Sequence, residues 1–214
     1  MAVGMVVKVA LKYVSKTVAG VVLLTGLCTA YAHPVETAAP PGTGCDAMDE
    51  MAGHIMASLA QGESADEVMQ GIATRAAPVS QKLMQAFVAA EMLLHSQQAP
   101  EVGTEQFSSA CVMYQPQFMH TMNNTCERVN QVIAASVRLR DAGSIPAQQV
   151  QAMVLKGMQE GVAQSADAER QRLLLPVVQA VTFDAIDEVY AHPDQTEDQL
   201  TAAFDRQCRL AAAD

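Results

Sequence analysis

Residues 45–59 read CDAMDEMAGHIMASL, and their apolar members, Met48, Met51, Ala52, Ile55, Met56 and Leu59, recur at intervals of three and four. That interval brings side chains back to one face of a 3.6-residue helix, whereas a half-buried strand needs strict alternation. The same helical reading extends along the rest of the chain. Ser64 with Glu67 forms a capping-box pattern that opens a second helix through Val68 and Ile72, which must end before Pro78. A third is predicted over residues 80–95 through Leu83, Met84, Phe87, Val88 and Met92, and a short fourth starts near Thr104, carries Phe107 and Cys111, and stops by Pro116.

Downstream the theme repeats. Val129, Val132, Ile133 and Val137 make a stripe closed by Gly143, and Pro146 opens a helix bearing Val150, Met153, Val154 and Met158. A long apolar segment from Ser165 to Tyr190 is interrupted at Pro176, where the missing amide kinks the helix or starts a new one. Thr196 with Gln199 caps a last helix carrying Leu200, Ala203, Phe204 and Cys208. With no alternating pattern anywhere, the expected class is all-α, a bundle of about seven to eight helices. No Trp and few other aromatic residues are present, so Ala, Val, Leu and the 11 Met that follow residue 32 must fill the core.

Upstream of this region the composition changes. Residues 1–32 carry Lys8, Lys12 and Lys16 and no acid, then the apolar stretch Thr17 to Ala32, ending in Ala30-Tyr31-Ala32. That order is the order of a cleavable signal peptide, and the stretch is shorter than the roughly 20 residues a spanning helix requires. Cleavage is expected after Ala32, with no stable membrane insertion afterwards. Cys28 would leave with the leader, because Leu27 before it is too large for a lipidation site. Residues 33–44, HPVETAAPPGTG, read as a flexible Pro/Gly linker. The expected location is periplasmic or secreted. The formal net charge of -10 becomes more negative once the three leader lysines are gone, which disfavours nucleic acid and anionic lipid as partners.

Laying the two halves side by side, landmarks recur in order. Gly62 follows Cys45 by 17 residues and Gly143 follows Cys126 by 17; each half closes in Phe-x-x-x-Cys, at Phe107–Cys111 and Phe204–Cys208. The pattern reads as a tandem duplication, with helical unit 1 over residues 45–116 and unit 2 over 117–214, packed as one domain. Four cysteines outside the leader allow three pairings. Copies of one ancestor should each close on themselves, Cys45 with Cys111 and Cys126 with Cys208. The nested alternative joins Cys111 to Cys126 and Cys45 to Cys208. No C-x-x-C pair favours zinc.

The residues most suggestive of chemistry lie between Cys111 and Cys126: Met113, Met119, His120 and Met122, whose thioether and imidazole groups suit copper(I). Met48, Met51, His54 and Met56 form a second such group, although their spacing equally marks a core-facing helix. Asn123-Asn124-Thr125 fits a glycosylation acceptor. The motifs of a serine hydrolase elbow, a zinc protease and a phosphate loop are all missing, and the acids cluster on polar helix faces, so no catalytic activity is expected. The leading expectation is an exported soluble helical protein without a cofactor that binds another protein or a small apolar ligand. A Met/His copper(I)-binding protein and an acid-stress periplasmic chaperone are the alternatives.

Overall fold

The computed structural model describes residues 45–94, 100–143 and 145–209. Within them the chain forms seven helices and no strand: α1 (Cys45–Ala60), α2 (Ala65–Thr74), α3 (Val79–Leu94), α4 (Pro100–Asp141), α5 (Ala147–Ala163), α6 (Ala168–Ala191) and α7 (Glu197–Cys208). The expected leader and linker, residues 1–32 and 33–44, lie outside the described residues.

Local chemistry sets the helix ends. The Ser64 backbone N–H donates to Glu67 Oε2 at 2.8 Å and the Glu67 N–H donates back to Ser64 Oγ at 3.3 Å. Thr196 and Gln199 make the same reciprocal pair at 2.9 and 3.3 Å, so both capping boxes form. After α1 and α4 the chain turns at Gly62 (φ 94°) and Gly143 (φ 59°), the two positive-φ positions among the described residues. A side chain there would strain the backbone, which is the reason for glycine.

The expectation that a short helix stops by Pro116 is wrong. α4 runs unbroken for 42 residues with Pro116 inside it. Pro116 removes one helical hydrogen bond at a cost of about 3 kcal/mol. It sits exposed, whereas Phe107, Cys111, Phe118, Met122, Cys126 and Val129 are buried along the same helix. Each large side chain in that stripe contributes about 1.5–3 kcal/mol by leaving water, which outweighs the proline. The boundary expected between residues 116 and 117 therefore falls within a single helix. Pro176 is likewise accommodated inside the 24-residue α6, just before the buried Val177.

The hub of the bundle is α6, which packs against α2, α3, α4, α5 and α7. Val177, Val181, Ala185 and Val189 belong to the main core, with Ile55, Met69, Phe87, Phe118, Ile133 and Leu200 from the other helices. A smaller core of Leu139, Ala147, Val150, Val154 and Ile186 lies beneath α5. Cys45 is bonded to Cys111 and Cys126 to Cys208, with Cα atoms 5.6 and 5.9 Å apart. The links are sequential along the chain rather than nested, and both are anchored on α4. Closing loops of this size contributes about 4 kcal/mol each by restricting the unfolded chain.

Candidate functional site

Among the described residues Glu91, Lys82 and Arg140 carry charge into the bundle, and each has a structural task. Glu91 on α3 is 1% exposed and meets Arg170 of α6 through Nε–Oε1 at 3.2 Å and Nη2–Oε2 at 3.3 Å. Lys82 donates from Nζ to the Ala73 carbonyl at the end of α2, 3.2 Å away, with Asp184 at 3.8 Å. Arg140 donates to the Val189, His192 and Gln195 carbonyls at 3.0, 2.9 and 3.1 Å, closing the end of α6. Neighbouring Tyr190 donates its hydroxyl to the Ile145 carbonyl at 3.0 Å; burial raises its pKa, opposed by the charge of Arg140.

What remains open is apolar. The first half of α6 is ringed by Leu173, Leu174, Leu175 and Val178, all only half-buried although the sequence around them reads as core. Beside them a notch opens between α3, α4 and α6. Its floor is Phe87 and Phe118, whose rings lie 5.5 Å apart at 52°; Met122, Leu174 and Val178 form the walls. Thr121 and Thr125 stand at its edge, and the Thr125 hydroxyl is already given to the Thr121 carbonyl at 2.8 Å. The cavity volume is about 20 Å³, room for about one water molecule. No titratable side chain lines it, so it can receive an apolar group but offers no acid, base or nucleophile.

The methionine and histidine candidates are spread around α4. Met113 is 72% exposed and His120 is exposed two turns on, its Nε2 3.0 Å from Asn124 Nδ2. Met119 is half-buried against the core and Met122 is 2% exposed in the notch wall. Met113 and His120 share a face, whereas Met122 points to the opposite side, so the four do not surround one point. Among the described residues no group of three or more His, Cys, Asp or Glu side chains is placed to hold a metal ion, and no helix is long and apolar enough to cross a membrane. His54 on α1 is exposed, 3.8 Å from Glu50.

The notch itself was missed at the level of sequence, since its lining comes from three separated segments whose only signal is that α6 has more apolar residues than one face can use. Comparison with known proteins gives no match to a family model, a curated protein or a solved structure.

Proposed function

We propose that this chain is a non-catalytic, exported binding module that receives an apolar side chain of a partner protein in the α3–α4–α6 notch. The observation that carries the reading is that Leu174 and Val178 stay half-covered beside an aromatic floor where α3, α4 and α6 meet. Size favours a protein over a free apolar ligand, because ligand cavities run to about 300–1,000 Å³, whereas a space for about one water admits only the tip of a protruding side chain and leaves the half-buried Leu173, Leu174, Leu175 and Val178 to carry the rest of the contact. Two disulfides accord with an oxidising compartment outside the cytosol.

The tandem reading belongs to the same proposal. Cys45–Ala60 ahead of Gly62 corresponds to Cys126–Asp141 ahead of Gly143, and α2 and α3 correspond to α5 and α6. The start of α4, ending in Phe107–Cys111, corresponds to α7 with Phe204–Cys208. In each set one disulfide ties the first helix to the last, and α4 fuses the last helix of one unit to the first of the next.

Native mass spectrometry of protein recovered from its own cells, before and after Thr121→Trp fills the notch, tests the binding reading. The unmodified protein should carry a polypeptide partner that the variant, still helical by circular dichroism, has lost. A partner retained by the filled notch, or no partner in either sample, would end it.

A further inference from the structure

We infer that the Cys45–Cys111 disulfide, once reduced, becomes a three-sulfur copper(I) site completed by Met48. This site is separate from the notch and from the Met113–Met122 segment. Met48 Sδ lies 3.8 Å from Cys111 Sγ, and both residues are fully buried. Met48 stands one turn after Cys45 on α1, so one helix supplies a thiol and a thioether while α4 supplies the second thiol across the joint. Two thiols freed from a bond relax to van der Waals separation. Three sulfurs spaced like the observed pair place their centre about 2.2 Å from each, close to the roughly 2.3 Å that thiolate keeps from a closed-shell d10 ion such as zinc. Thiolate and thioether donors select copper(I), and three donors leave zinc short of its usual four.

The chemistry balances with a dithiol as reductant. A dithiol thiolate attacks the half-buried Cys45 sulfur, since Cys111 is sealed, and Cys111 leaves as thiolate. The second thiol of the reductant then displaces Cys45, so the reductant becomes the disulfide and two electrons and two protons end on the protein thiols. As copper(I) binds, both protons leave to solvent, giving one cation held by two thiolates and one neutral thioether, with one net negative charge. Cys45 is the first residue of α1, where free backbone amides favour a thiolate. Burial of Met48 and Cys111 keeps water from the ion.

The test is copper(I) competition against a chromophoric chelator, with X-ray absorption of the loaded protein and circular dichroism of the same sample. The reduced full chain should stay helical and hold its tightest copper(I) with three sulfur neighbours at about 2.2–2.3 Å, any second ion at Cys126 and Cys208 having only two. Met48→Leu conserves core volume and leaves both cysteines in place. It should show two sulfur neighbours and bind about tenfold more weakly or worse. Replacing Cys126 and Cys208 by Ser should leave the tight three-sulfur ion in place. Equal affinity and coordination in Met48→Leu, no uptake by the reduced chain, or uptake only after its helices are lost, each overturns the site.

Discussion

Arg140 closes the end of α6 with three carbonyl contacts from a side chain only 10% exposed, and it also touches Asp141 at 2.8 Å. A guanidinium can serve three acceptors at once because its donors are fixed in a plane, whereas an ammonium on a flexible stem cannot hold the same geometry. Arg140→Lys is therefore expected to cost about 2–3 kcal/mol in chemical denaturation, with faster amide exchange concentrated at residues 189–195. Glu67 makes a gentler case. Its pKa is lowered by the Ser64 backbone N–H first and the Ser64 hydroxyl second, on a fully exposed helix start. Because the folded value lies below the unfolded one, this cap adds stability above the ordinary glutamate range and gives it up as pH falls through the lowered folded value. Carboxyl-detected NMR should place the Glu67 midpoint lower in the native chain than in the urea-unfolded chain; coincident midpoints would remove the explanation. Both caps were legible, since Ser64 with Glu67 and Thr196 with Gln199 interact within one turn. Arg140 was not, because its acceptors lie about fifty positions along the chain and no short pattern announces them.

Among the helices α5 is the least secured. It packs chiefly on α6 over the small core of Val150, Val154 and Ile186, carries no disulfide, and starts at Pro146 without a side-chain cap. Gln151 to Asp187, at 2.8 Å, and Tyr190 to the Ile145 carbonyl are its polar ties to α6. Hydrogen exchange should find α5 amides opening before those of α4 and α6, and Tyr190→Phe should widen that gap. Protection of α5 equal to that of α4 would contradict this ranking. Element type was readable throughout because three-and-four spacing survives every turn signal. Element length was not: Pro116 marks a stop by its own chemistry, and only the buried stripe from Phe107 to Val129 and the cysteines on either side explain why the helix continues. The same limit hid the notch, for Phe87, Phe118 and Leu174 meet only through the packing of α3, α4 and α6.

For the molecule as a whole, both disulfides converge on α4, and this has a mechanical result. A pull applied at the two chain ends enters at Cys45, crosses to Cys111, runs along the fifteen residues to Cys126, and leaves through Cys208. The described helices outside that path hang beside it as slack. Stretching a helix to extended chain lengthens it by about 2 Å per residue, so optical-tweezers traces of the oxidised protein should lengthen by only ~30 Å between the cysteines. Reduction should release on the order of 500 Å, the contour from Cys45 to Cys208. Phe118, Thr121, Met122 and Thr125 all lie on the loaded fifteen residues. Tension that leaves the remaining described helices untouched would thus bear directly on the floor and edge of the notch, turning it into a part of the molecule that feels a tug.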